Sequence, residues 1–394
     1  MWLPYGSSQV PVRIPDERLV EIVRPQSQHA QLDAIADAKR LLESGNFQDL
    51  AKKATTVCIG LGASSNKQLI ISLANLLIQE LSAIGIQESS ITLLCTPDAA
   101  KTGLDTIAEH LVKHDPNSSV SESVEGFRGD FSPALNSALV STDLKIVLGE
   151  LKPHHIFGLS GLPDIVFPGL ASAGSVRGHL FNRKGKRASD LYAERVEIAN
   201  CVQNLFAMSY VADAELSPAR ISFGTVKGCL EELSPILQEI CRRSIRKASD
   251  IVVMSSGGAP TDESLSRAVE AFPAGVAALK RDGMLVVAAE CSQGHGGGEF
   301  YEWCAEHKEP RYLESRLRHA FNYDGFKASF LVRALENHRI YLVSTVPDHY
   351  VEKTFRMRPG RTVNSALQIA QRSIGADASI TVIPDATRVI AQIA

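Results

Sequence analysis

The chain has 394 residues, a net charge of −3 and 22% charged side chains. That balance gives no electrostatic reason to expect nucleic acid or an anionic membrane as a partner, and no apolar run reaches the roughly 18 residues a membrane span needs. The length argues for two or three domains. The opening MWLPYGSSQVPVRIPDE lacks the basic-then-apolar pattern of a signal peptide, and the seven scattered cysteines contain no C-x-x-C pair, so a reducing cytoplasm is the expected location.

Val10, Val12 and Ile14 alternate, and Leu19 to Val23 follow Pro15, which predicts short strands. Residues 28–44 are predicted helical, with Leu32, Ile35, Ala36, Leu41 and Leu42 on one face and Gly45 as the stop. Residues 54–84 read as a strand (Val57 to Leu61), the small polar loop GASSNKQ, and a helix carrying Leu69, Leu73, Leu76, Leu77 and Leu81. Ser64, Ser65 or Asn66 can cap that helix; the loop either offers free N–H groups to an anion or does no more than cap. A strand from Ile91 to Cys95 leads into TPDAAKTG, and His110 and His114 are expected on the surface of a following helix. The polar stretch 112–130 is expected to loop across the surface.

The apolar run Ile146-Val147-Leu148 reads as a buried strand. It opens a stretch with Pro153, His154, His155, Gly158, Ser160, Gly161, Pro168, Gly169 and His179. Three histidines within 26 residues, around a Gly/Pro loop after a strand, suggest a site, because imidazole exchanges protons or ligates metals near neutral pH. The alternative is that His154 and His155 only hydrogen-bond the loop while His179 faces water. The basic run NRKGKR (182–187) is read as a solvated turn, with a contact to a ligand phosphate as the sharper option. Residues 188–247 look largely helical.

A domain boundary is placed near 249, giving units 1–249 and 250–394. The second unit repeats the strand, Gly loop and helix grammar. Ile251 to Met254 is a strand, SSGGAP a loop, and Thr261 or Asp262 the cap of a helix burying Leu265, Ala268, Val269 and Phe272. Arg267 and Glu270 stand three apart on it. They form either a surface ion pair or a site in which the Arg267 fork grips a carboxylate. Met284 to Ala289 is the next strand, and the loop CSQGHGGGEF after it sets His295 and Gly296 among glycines that allow close backbone approach to a ligand. Helices around 311–336, strands at Ile340–Val343 and Ile380–Ile383, and a final VIAQIA edge strand, which can return to the first unit, complete a pattern of two α/β domains with a cleft between them.

The central stretch resembles the signature of the nickel-dependent lactate racemase family, P-H-x-x-x-G-x-S-G-G-x-K followed by P-G and N-H. Pro153, His154, Gly158, Ser160, Gly161, Pro168, Gly169 and His179 fall on it, and LPYG (3–6), SSGGAPTD (255–262) and GHGG (294–297) resemble further family motifs. The resemblance spans nearly the whole chain. It implies racemisation or epimerisation of a small 2-hydroxy acid by hydride transfer to a nickel-pincer nucleotide. It also implies roles: His154 as a family base and His179 as nickel ligand, with Ser160, Gly161, His295 and Gly296 around the cofactor. The sequence departs from the pattern at four places. The D-x-T-R loop has become residues 60–68 without Asp or Arg. The second base histidine is replaced in the segment holding Asp98 and Lys101. The cofactor-linking lysine is replaced by Asp164, which permits only non-covalent binding. The paired glutamine and lysine are replaced by Arg267 and Glu270, of which Arg267 is the expected carboxylate clamp. Two further readings therefore stand beside the racemase: altered metal-assisted chemistry on the same fold, and a non-catalytic ligand-binding protein. A homo-oligomer is compatible with all three.

Overall fold

The computed structural model describes residues 1–27, 32–43, 46–101, 111–118 and 120–393. The expectation for His110 lies outside these residues.

Two six-stranded sheets carry the fold. The first runs in the order Pro218–Gly224, Leu205–Ala212, Leu144–Glu150, Val57–Leu61, Ile91–Cys95 and Leu111–Lys113. Only its first pair is antiparallel. Its central strands are buried along their length because both faces are covered, and they are mostly apolar, with Lys145, Glu150 and Ser209 as buried exceptions. Ile59 and Leu61 pack on one side with the helices Ala34–Leu42 and Lys67–Ile84, while their neighbour Cys58 packs on the other with the helices Ala188–Cys201 and Val226–Cys241. The helix Lys67–Ile84 starts where the Asn66 side chain accepts from Leu69 N and stops at Gly85, whose φ of 108° suits glycine.

The second sheet is parallel throughout, in the order Arg358–Pro359, Arg339–Val343, Leu279–Ala288, Ser249–Ser255, Ile380–Ile383 and Leu19–Ile22. Its outermost strand comes from the start of the chain. The hairpin Trp2–Tyr5 with Ser8–Pro11 joins the same half, burying Leu3 against Ile251 and Val253. The closing strand Ile390–Ile393 pairs in parallel with Arg242–Ile245.

Two expectations are corrected here. Residues 188–247 are not largely helical, since Leu205–Ala212 and Pro218–Gly224 are strands. The run LFAMSYVA is buried on both faces and shows no period of two, so nothing in its pattern separates it from a buried helix. His114 is not on a helix surface. It follows the strand Leu111–Lys113, is 6% exposed, and is held between Ala171 O (2.9 Å) and the Asn136 amide (3.1 Å).

Candidate active site

Segments that follow the strands Ile91–Cys95 and Ser249–Ser255 meet across the two halves, at Lys101–Glu263 (3.2 Å) and Arg267–Asp98 (2.8 Å), on the strand ends where doubly wound folds keep their sites. After Leu144–Glu150 the chain turns into a small hairpin, Lys152–His154 against Gly158–Ser160, with His154 opposite Gly158 at its end. The His154 Nδ1 accepts backbone N–H bonds from Ile156 (3.1 Å) and Phe157 (3.4 Å). A ring nitrogen that accepts N–H bonds carries no proton, so the neutral ring has its proton on Nε2. That atom faces the other half of the molecule, 3.6 Å from Glu270 Oε2. Burial holds the His154 ring below its ordinary pKa. His155 is anchored by a bond from Nε2 to Ala386 O of 3.1 Å.

Glu270 is the hub of this junction. Its Oε1 accepts from the Tyr323 hydroxyl (3.1 Å) and from Lys327 Nζ (3.3 Å). Burial pushes its carboxyl up, but Lys327, His154 and Tyr323 outweigh that and hold it below its ordinary value. The sequence expectation of an Arg267–Glu270 surface pair is corrected. Arg267 turns instead to the first half, where its NH2 donates to Asp98 Oδ1 at 2.8 Å, and its NH1 donates to Pro260 O at 3.3 Å. The predicted cap is corrected too. Ser264 precedes the short helix Leu265–Ala268, while the fully buried Asp262 accepts from Gly6 N (2.8 Å) and Glu290 N (3.0 Å), tying the LPYG turn to the second sheet.

Asp164 stands in the lysine's place. Its Oδ2 accepts from Gly161 N (2.9 Å) and its Oδ1 pairs with Arg195 at 2.7 Å, a cation only 4% exposed. Gly161 has a φ of 137°, and a Cβ there would meet Glu150 O at 2.5 Å, so its close approach is to its own chain. Ser160 lies beside it, half-buried at the end of the hairpin. The Arg195 guanidinium sits 3.8 Å from the Phe157 ring centroid, Phe157 stacks on Tyr323 at 5.7 Å, and Lys327 Nζ lies 4.1 Å from the Tyr323 ring. A chain of cation, ring, ring and cation thus links the halves.

His179, on the helix Ala173–Leu180, does not face water. It is fully buried against Phe167 and Phe131. Its Nε2 donates to Leu191 O (3.1 Å), and its Nδ1 is buried without a partner among the described residues. Burial first, and then Arg195, push this ring down to about 3, so it is neutral at working pH. His154 and His179 both lie in the field of Arg195, yet their rings pack in different surroundings. His295 has a third environment, against Tyr301, Tyr350 and Phe355. Its loop serves the Arg267 helix: Gly294 O and His295 O accept from Leu265 N and Ser266 N, and a Cβ on Gly296 would meet Ser266 Oγ at 2.2 Å.

The basic run 182–187 is more than a solvated turn. Arg183 is 5% exposed and holds Glu194 through two bonds of 3.0 and 3.1 Å, and Lys186 joins the same carboxylate. In the loop after Val57–Leu61, Ser65 N donates to the buried Glu150 Oε2 at 2.6 Å, so this chain's own carboxylate takes the anion's place there.

The chain matches the family model described as the lactate racemase N-terminal domain over residues 5–103, and the one described as the lactate racemase C-terminal domain over 245–391. The chain belongs to the lactate racemase family. It is 28% identical to the lactate racemase of Thermoanaerobacterium thermosaccharolyticum, with 98% of each chain covered. It is 27% identical to that of Lactiplantibacillus plantarum, over 65% of this chain and 63% of the relative. The solved apoprotein of the T. thermosaccharolyticum racemase superposes with a TM-score of 0.79 at 26% identity, covering 99% of both chains. A structural-genomics protein from Thermotoga maritima shares the fold, with a TM-score of 0.65 at 13% identity over 93% of this chain and all of that one. These relatives place the chain among isomerases on a two-domain α/β fold. Among the described residues no helix is long and apolar enough to cross a membrane.

Sequence reading missed Glu150, Arg195, Tyr323 and Lys327. Only the spacing of Tyr323 and Lys327, one helical turn apart, offered a signal.

Proposed function

We propose that this family member racemises or epimerises a small 2-hydroxy acid bound between the halves. The observation that carries this reading is the junction of His154 with Glu270, Tyr323 and Lys327, built from both halves at their strand ends. A nickel-pincer nucleotide is the cofactor the family implies, and His179 fits it: a neutral imidazole whose Nε2 is fixed by a carbonyl and whose buried Nδ1 lone pair has no partner is in the state a metal ligand needs. Among the described residues no group of three or more His, Cys, Asp and Glu could hold a bare ion, so a cofactor that brings its own donors and needs one imidazole suits this donor set. Asp164 has no amine and is occupied by Arg195, so the nucleotide is held without a covalent link. Held there, such a group would supply hydride-acceptor chemistry.

The residues of the chain handle the rest. Nδ1 of His154 is taken by backbone N–H groups, so the ring keeps its one proton on Nε2 and acts there as a hydrogen-bond donor. In the resting arrangement Nε2 faces Glu270, and the carboxylate is the member of the pair with a lone pair free to take the hydroxyl proton. His154 Nε2–H then hydrogen-bonds the carbonyl oxygen of the keto acid so formed, and Glu270 gives the proton back to that oxygen as the hydride returns to carbon. Arg267 has donors beyond those given to Asp98 and Pro260, and we assign it to the substrate carboxylate.

The deciding experiment is a screen of 2-hydroxy acids for inversion with cofactor-loaded protein in heavy water. Inversion of at least one acid without deuterium entering the α-carbon is expected, because a hydride that is passed on and returned does not exchange with solvent. No inversion across the panel would overturn the racemase, and solvent deuterium at the α-carbon would overturn hydride transfer. Independently, His179→Ala is expected to abolish nickel retention by metal analysis. Full nickel occupancy in that variant would remove His179 as the ligand.

A further inference from the structure

At the far end of the second sheet from the cleft, a cavity of about 330 Å³ is lined by Leu335, His338, Arg339, Ile340, Arg356 and Arg358. It sits where the helix Tyr323–Asn337 ends and the strand Arg339–Val343 begins, beside the edge strand Arg358–Pro359. Catalytic and cofactor sites of such sheets lie at the opposite, C-terminal strand ends, so this cavity is separate from the site above and does not rest on its reading.

Each of its three arginines has a neutral hydrogen-bond acceptor. Arg339 NH1 donates to Ser373 Oγ (2.8 Å), Arg356 NH1 to Lys308 O (3.0 Å) and Arg358 NH1 to the Tyr341 hydroxyl (2.9 Å). All three acceptors are neutral. Among the described residues none of the three guanidinium groups has a carboxylate within ion-pair distance. Elsewhere, half of the other arginines find one among the described residues, from Arg18–Asp377 to Arg333–Glu314. Two lining nitrogens, Arg356 Nε and His338 Nδ1, are buried without a hydrogen-bond partner among the described residues. Buried donors of this kind are ordinarily satisfied. Asp282 acts on His338 only through space.

Three guanidinium groups without a carboxylate converge on one cavity, with two unsatisfied nitrogens in its wall, and that geometry suits a multivalent oxyanion. Leu335 and Ile340 add an apolar wall for whatever the anion is attached to. We propose that this cavity binds a phosphorylated small molecule, its phosphate in the arginine fork and its remaining part against Leu335 and Ile340.

The test is calorimetric titration of the full chain in low-salt buffer with inorganic phosphate, adenosine monophosphate and adenosine. Phosphate and the monophosphate are expected to bind and adenosine is not. Arg339→Gln with Arg358→Gln is expected to weaken both by roughly tenfold or more, with unchanged melting of the free protein. No phosphate binding by the wild type, equal binding of adenosine, or binding that survives the double variant would overturn the proposal. Should the double variant melt early, Arg339→Gln alone decides, since among the described residues that exposed side chain is bonded only to Ser373.

Discussion

Glu270 Oε2 lies 3.6 Å from His154 Nε2, and the two residues come from opposite halves of the chain. No substrate carbon fits between groups so close, so together they serve one face of a bound hydroxy acid. Glu270→Gln keeps the shape and removes the proton acceptor. It is expected to lower kcat by about 10²- to 10⁴-fold with little change in KM, read by steady-state inversion on loaded protein. An undiminished kcat would take Glu270 out of the proton path.

Arg267 and Asp98 meet at 2.8 Å across the same junction, in the segment where the family keeps its second histidine. The pair separates two roles for Asp98. Arg267→Ala should raise KM for the carboxylate substrate strongly, and an unchanged KM would exclude it from the site. Asp98→Asn should lower KM if Asp98 only competes with substrate for Arg267. A fall in kcat instead would identify Asp98 as a second acid–base group.

Much of this arrangement was legible before the coordinates. Strands such as Val57–Leu61 and Ser249–Ser255 are short apolar runs followed by Gly loops, and they lie where their pattern placed them. The stretch around His154 was marked by its histidines and glycines. What stayed hidden depends on pairing between distant segments. Nothing local says that Asp164 meets Arg195, 31 positions on, or that Lys327 meets Glu270, 57 positions back. The glycines at 161 and 296 mark loops expected to approach a ligand, while within the chain a Cβ at the first would meet Glu150 O and at the second Ser266 Oγ. Two strands between 205 and 224 escaped because small and sulfur-bearing residues there serve either helix or strand.

Asp164 and Arg195 form a pair that is 18% and 4% exposed. Removing one partner of a buried pair strands the other charge, so Asp164→Ala should cost about 3–5 kcal/mol, measured by urea unfolding. Restoring the family residue is predicted to be worse, because Asp164→Lys sets two cations together beside Phe157. The same pair makes a mass prediction. Loaded wild-type protein should show only the mass of the polypeptide after denaturation. A covalent adduct would show that another nucleophile performs the missing lysine's task.

The buried histidines fix the acid limb of stability. His179 titrates at about 3 when folded, depressed by burial and then by Arg195, and burial also lowers His114, His154 and His155. Each folded value lies below the unfolded one near 6.5. The unfolded chain therefore binds more protons below that pH, and stability must fall as pH drops from about 6.5 toward the folded values. His179 alone contributes about 1.4 kcal/mol of loss between pH 8 and pH 5.5. The depressed carboxylate Asp250, near 2, acts in a lower window, as pH falls below about 4, so it does not obscure this range. Urea midpoints should drop clearly between pH 8 and 5.5, and His179→Gln should flatten that dependence while lowering stability at pH 8. A wild-type midpoint that holds constant across the range would mean that the His179 ring is protonated or solvated in the folded protein, and the free Nδ1 assigned to nickel would go with it.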